Sequence, residues 1–197
     1  MKVIDLVPEH YETYFNCLED WSGEMKEAGT HKARWYEKYQ AKGLRVKFAL
    51  EEAGRVAGMI QYLPVEESVV EGKGLYFIPC IWVHGYKNGI GDFQGQGMGS
   101  ALLNAAENDA KNMGAKGMAA WGLWLPFWMK ASWFKKQGYS KVDRQGLSVL
   151  LWKPFTNTVE PPRWIKQKKK PETVPVKVTV TALVKGCSQA QECVEGR

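Results

Sequence analysis

Gln94-Gly95-Gln96-Gly97-Met98-Gly99 stands between a near-continuous apolar run, Leu75 to Val83, and an amphipathic segment that begins at Gly97. A run that is apolar on both faces suits a central strand covered on both sides. Met98, Ala101, Leu102, Ala105, Ala106, Ala110 and Met113 recur at the spacing of one helix face, and Gly114 closes that helix. Strand, glycine loop and helix together can hold an anion. Glycines let successive backbone N–H groups approach a phosphate with no Cβ in the way, and a helix N-terminus adds about half a positive charge at the same spot. A structural turn accounts for many such loops, so the rest of the chain has to decide.

Lys2 to Val7 reads as a strand, and Pro8 opens a helix carrying Tyr11, Tyr14, Phe15 and Leu18. A second helix spans Lys32 to Gln40, with Trp35, Tyr36 and Tyr39 on one side and Gly43 at its end. Val46, Phe48 and Leu50 alternate with Arg45, Lys47 and Ala49. Gly54 then turns the chain into Val56 through Tyr62, a hairpin pattern. Pro79 inside the apolar run has no N–H for a ladder, so it should mark an edge or a bulge. After the helix that starts at Gly97 come a strand at Gly117 to Gly122, a helix from Pro126 to about Gln137, and a strand at Leu147 to Trp152. The expected order is βααβββαβαβ, an α/β (α+β) fold.

Gln-x-x-Gly-x-Gly, present at Gln94, Gly97 and Gly99, resembles the pyrophosphate-binding signature of the GNAT superfamily of N-acyltransferases. Cys80-Ile81-Trp82-Val83 is similar to that family's splayed strand, whose free backbone groups pair with the pantetheine arm of CoA. Ala131-Ser132-Trp133-Phe134-Lys135-Lys136-Gln137-Gly138-Tyr139 resembles the helix and Gly-aromatic segment on which the family rests the far side of CoA. The resemblance covers residues 1–155 and implies a mixed, mostly antiparallel sheet flanked by helices, with a splayed central strand. It implies acetyl-CoA as cosubstrate, held by Trp82, Val83, Gln94, Gly95, Gln96, Gly97, Met98, Gly99, Ser100 and Phe134, with no metal. A Rossmann reading fails because the glycines run Gly-x-Gly-x-Gly and no acidic residue ends a second strand about 20 residues on. No Gly-Lys-Ser/Thr follows for a P-loop.

Two positions depart from the family pattern. Phe134 stands where a tyrosine often protonates the departing thiolate, and Tyr76-Phe77-Ile78-Pro79 lacks the glutamate many members use as base. His84 follows the strand directly, and the imidazole is the side chain whose chemistry suits proton transfer near neutral pH, so it is the candidate catalytic base, against the plainer role of a loop histidine capping the strand. His31 and Glu24 are weaker candidates beside the acceptor site. Trp124 or Trp128, in the aromatic run Trp121 to Trp128, could line a flat or cationic acceptor's pocket, although core packing explains most of those rings.

The expected activity is transfer of an acetyl group from acetyl-CoA to an amine of a small-molecule or peptide acceptor by direct attack. The alternative is a non-catalytic acyl-CoA-binding or regulatory module. A net charge of +6 also raises a nucleic-acid partner, but Lys166, Lys168, Lys169 and Lys170 place part of that excess in a proline-flanked linker, residues 156–175. No apolar run approaches the roughly 20 residues of a membrane span, and no secretory signal opens the chain, which points to the cytoplasm. A homodimer stays open. Residues 176–197 form a short appendage: Val176, Val178 and Val180 alternate as in a strand, and Lys177 to Cys187 resembles the start of a thioredoxin-like module. Cys187 and Cys193 do not have Cys-x-x-Cys spacing, and with Cys17 and Cys80 they read as reduced thiols.

Overall fold

The computed structural model describes residues 1–19, 23–87, 89–125 and 129–166. Strands β1 (Lys2–Asp5), β2 (Arg45–Leu50), β3 (Val56–Pro64), β4 (Val70–Glu71), β5 (Leu75–Val83), β6 (Gly117–Leu123), β7 (Ser140–Gln145), β8 (Ser148–Pro154) and β9 (Arg163–Trp164) alternate with helices α1 (Tyr11–Phe15), α2 (Gly23–Gln40), α3 (Met98–Asn112) and α4 (Ala131–Lys136). Seven strands make one sheet in the order β1-β2-β3-β5-β6-β8-β7, and β4 pairs with β9 in a small second ladder. Every pairing is antiparallel except β5 with β6. This is the mixed, mostly antiparallel sheet flanked by helices that the family resemblance implies.

The two faces of the sheet differ. On one, α3 lays Met98, Leu102, Leu103, Ala106 and Ala110 against Ala57, Ile60, Ile78, Met118 and Ala120, all buried. Burying one leucine contributes about 1.5–3 kcal/mol, so this stripe is a main source of stability. On the other, Tyr14, Cys17 and Leu18 from α1 and its exit pack on Phe48, Met59 and Cys80, and Trp35 and Tyr39 of α2 pack on Leu63 and Phe77. Helix α2 starts at Gly23, well before the expected Lys32. Gly29 interrupts the apolar pattern for a packing reason: a Cβ there would stand 2.7 Å from the Asn16 side chain at the end of α1.

Three strands escape the apolar-alternation signal. Strand β7 is Ser-Lys-Val-Asp-Arg-Gln, a mostly exposed edge whose polar side chains suit solvent. Strands β4 and β9 have two residues each. Strand β9 lies in the stretch read as the start of a linker, and it is anchored there by Arg163 on the Glu71 carboxylate at 2.8 and 2.9 Å and by Trp164 N–H on Asp143 at 2.9 Å. Strand β8 covers Leu147 to Trp152 nearly as expected, and α4 occupies the second half of the expected helix, whose first residues lie outside the described ones. Residues 167–175 of the linker and the whole 176–197 appendage, with Cys187 and Cys193, also lie outside them. Among the described residues, no helix is long and apolar enough to cross a membrane.

Candidate functional site

Strand β5 keeps two partners for only half its length. It pairs with β6 from Leu75↔Gly117 to Ile78↔Ala120 and then leaves it, while β6 continues along β8 to Leu123↔Ser148. On its other side β5 stays on β3, with Gln61↔Cys80 followed by Leu63↔Phe77, so Tyr62 faces two residues, Ile78 and Pro79. Pro79 therefore sits in a bulge, where its missing N–H costs no ladder bond and the change of twist turns the strand away from β6. The Pro79 carbonyl at the parting point accepts a hydrogen bond from Trp121 Nε1 at 2.7 Å.

Beyond that point the two strands bound a cleft. Among the described residues, no strand lies against the edge of Cys80 to Val83 that would face β6. Trp82 and Val83 are half-buried, Trp82 against the α1 side of the sheet and Val83 against the α3 side. Opposite, Leu123 N–H donates to the Met129 carbonyl at 2.7 Å, which brings the segment leading into α4 alongside the end of β6. Gly122 makes this approach feasible, because a Cβ there would stand 2.7 Å from Ala131 N and Met129 O.

The glycine loop leads into α3, whose first turn packs beside α4. Gly95 and Gly97 have φ of +76° and +83°, and Gly97 is the N-cap of α3. A Cβ on either would meet nothing within 4 Å, so the space above the loop is open. At Gly99 a Cβ would instead come within 3.3 Å of Trp133 Cζ2, which sets the first turn of α3 against α4. Asp92 shapes the loop: its carboxylate accepts from Gln94 N–H at 3.0 Å and its carbonyl from Gln96 Nε2 at 3.1 Å. Gln94 also covers Gly85, where a Cβ would fall 2.1 Å from its Nε2. Met98 is buried and Ser100 half-buried, and no acidic side chain stands in the first turn of α3. Backbone N–H groups at an uncompensated positive helix end, under open space, suit a phosphate group. Those residues offer an anion site at the loop, beside a β5 edge that has no strand partner among the described residues.

His84 is fully buried. Its N–H donates to the Ala57 carbonyl and its carbonyl accepts from Phe93 N–H, both at 2.9 Å. Its Nδ1 meets the Gly91 carbonyl, and its ring stands edge-on to Tyr86. These contacts and the Gly85↔Asp92 bridge close the excursion between β5 and the glycine loop. A base must come within hydrogen-bond reach of the proton it removes, and an enclosed imidazole reaches an acceptor only when this excursion moves. Phe134 is fully buried, edge-on to Trp133 and Tyr139. Behind it Lys153 Nζ holds the buried Glu107 carboxylate at 2.8 Å, and burial, with the Glu107 charge, pushes the Tyr139 phenol well above its usual range.

His31 is exposed on α2, and Trp124 is 60% exposed with the Arg144 guanidinium 5.5 Å over its ring. The side chain of Glu24, and Trp128, lie outside the described residues. Trp121 is the contributor that sequence reasoning did not assign to the site. Pro79 was the available signal for Trp121, since a bulged carbonyl losing its strand partner needs a donor. Among the described residues no group of three or more His, Cys, Asp or Glu could hold a metal ion.

Residues 6–124 match the family model described as the acetyltransferase (GNAT) family. No curated protein matches the chain in sequence. Among solved structures, the chain is similar to the Escherichia coli GNAT family N-acetyltransferase YhbS in complex with CoA, at 14% identity and TM-score 0.58, covering 83% of this chain and 89% of that one. It is also similar to a Brucella melitensis GNAT family acetyltransferase in complex with acetyl-CoA, at 19% identity and TM-score 0.53, covering 81% and 90%. A third is the Thermoplasma acidophilum PaiA N-acetyltransferase in complex with coenzyme A, at 16% identity and TM-score 0.56, covering 79% and 100%. At these identities the likeness is one of fold.

Proposed function

The chain belongs to the GNAT acetyltransferase family, and from that membership we propose that it transfers an acetyl group from acetyl-CoA to the amine of a small-molecule or peptide acceptor. One observation carries the reading: Gly95 and Gly97, both at positive φ, leave open space over the N-terminus of α3 beside the parting of β5 and β6. Trp82, Val83, Gln94, Gly95, Gln96, Gly97, Met98, Gly99 and Ser100 hold the cosubstrate. Its pyrophosphate takes the loop N–H groups, and its thioester lies along the open edge of β5.

The acceptor amine attacks the thioester carbon directly. Backbone N–H groups near Trp82 and Val83 polarise the carbonyl, and alignment of the two reactants supplies most of the acceleration. The C–N bond forms as the C–S bond breaks, the CoA thiolate leaves, and the nitrogen loses its proton. Phe134 has no proton to give, so the thiolate departs to water, for which its modest basicity suffices. With His84 enclosed on the Gly91 carbonyl, the amine arrives neutral, and His84 is assigned to holding the excursion shut rather than to taking the proton.

Phe134 also favours a second reading, an acyl-CoA-binding module without turnover. Calorimetry with CoA and thiol-release assays with acetyl-CoA over a panel of amines separate the two. Tight CoA binding with acetylated product supports transfer. Binding without product from any amine supports the module, and absence of binding overturns both.

A further inference from the structure

On the face of the sheet away from α3, an amine and a thiol are buried side by side. Lys32 of α2 is fully buried, and its Nζ donates to the Tyr14 carbonyl, stands 3.1 Å from Cys17 Sγ and 4.0 Å from both Met59 Sδ and the Tyr14 ring centroid. Cys17 is 7% exposed, and its backbone is held at φ +53° by the tight exit of α1, where Leu18 N–H returns to the Thr13 carbonyl at 2.9 Å. The thiol is thus fixed facing the amine by the fold of the chain, not by a flexible surface contact.

We propose that Cys17 and Lys32 form a site of oxidative crosslinking, in which a small peroxide joins Sγ to Nζ. An ammonium beside a thiol stabilises the thiolate, the form that attacks peroxide. The sulfur gives its electron pair to one peroxide oxygen, the O–O bond breaks, and a sulfenic acid and one water result. Sulfenic acids condense with a nearby nitrogen. Lys32 Nζ, after losing its proton, attacks the sulfur, the S–O bond breaks, and the hydroxide leaves as a second water with a further proton from nitrogen. Thiol, ammonium and one peroxide thus become an S–N bond, two waters and one released proton, the sulfur having been oxidised and the peroxide reduced. A 3.1 Å separation lies within the range from which bound groups react.

Burial selects the chemistry. A tripeptide thiol such as glutathione cannot reach a sulfur this enclosed, whereas peroxide can, so the neighbouring amine is the resolving group. The competitor within the same core is Cys80, also buried and free. The S–N bond would join the exit of α1 to the middle of α2, and in the unfolded or digested chain excess dithiol would reverse it through a mixed disulfide. Nothing in this inference depends on acetyl transfer.

The test treats the full chain with equimolar hydrogen peroxide, alkylates it under denaturing conditions, digests it with a protease that does not cut at lysine, and maps it by mass spectrometry. The expected product is the Cys17 and Lys32 peptides joined and lighter than their sum by one H2, lost after dithiothreitol and missing from a Lys32→Arg protein. Recovery of Cys17 as the alkylated thiol, as the sulfinic acid, or joined to Cys80 would overturn the proposal. The wild-type digest alone decides it, so an unfolded variant does not blunt the test.

Discussion

The β5–β6 seam has a closed half and an open half, made from the same two strands. From Leu75 to Ile78 the strands spend their facing backbone groups on each other, and the side chains of Leu75, Phe77, Ile78, Met118, Ala119 and Ala120 are buried. From Pro79 onward the edge of β5 faces a cleft, Trp121 caps the carbonyl at the fork, and the approach to α4 occupies the end of β6. The difference teaches that a binding edge can be made by withholding a partner strand at one proline, with no change in the apolar character of the strand itself.

The largest expected effect comes from Gly122, where the open half depends on close backbone approach. Gly122→Val places a side chain against Ala131 N and Met129 O, backbone atoms that cannot swing aside. We expect a loss of about 3 kcal/mol or more, read as a collapsed midpoint in urea unfolding. A stable Gly122→Val protein would mean that the α4 approach is not rigid.

Gly97→Val affects the ligand more than the fold. The added side chain meets open space, so its cost to stability is backbone strain of about 1–3 kcal/mol at a positive φ. The branched group, however, stands where the phosphate would approach. CoA affinity should fall by about a hundredfold or more, equivalent to the roughly 1.4 kcal/mol per tenfold of lost N–H contacts. Unchanged affinity in a folded Gly97→Val protein would remove the pyrophosphate from the loop.

His84→Ala distinguishes buckle from base. As the buckle of the excursion, its loss should weaken CoA binding severalfold while leaving the pH profile of kcat/KM governed by the acceptor amine. Disappearance of an acid limb near the ordinary histidine range would return His84 to the role of base.

Trp121→Phe gives the smallest expected effect, since it keeps the ring and removes one donor, leaving the Pro79 carbonyl at the fork without its indole. A loss of about 1–2 kcal/mol in unfolding free energy is expected. A larger fall in kcat than in stability would show that the fork sets the thioester's position.

The sequence made much of this architecture legible. The apolar stripe of α3, the hairpin of β2 and β3, and the glycine loop followed directly from periodicity and from glycine's freedom at positive φ. What stayed hidden depends on contacts distant in the chain. Strand β7 is polar because it is an edge, and α2 runs through Gly29 because Asn16 needs the space. Strand β9 exists because Arg163 finds Glu71 and Trp164 finds Asp143. In the site, residue type pointed to the loop and to the bulge at Pro79. The enclosure of His84 needed the Gly91 carbonyl to be folded over it, and the burial of Phe134 needed Trp133 and Tyr139 around it. No local pattern encodes either.

The hydrogen bonds that Asp92 makes to Gln94 and Gln96 have a kinetic consequence. They set the loop's shape before any ligand arrives, so association involves no search for the correct backbone geometry. If CoA takes this loop as proposed, the encounter is expected to be a single step, with an observed rate that rises linearly with CoA concentration and shows no plateau. Residence time, not arrival, is where changes around the cleft would register.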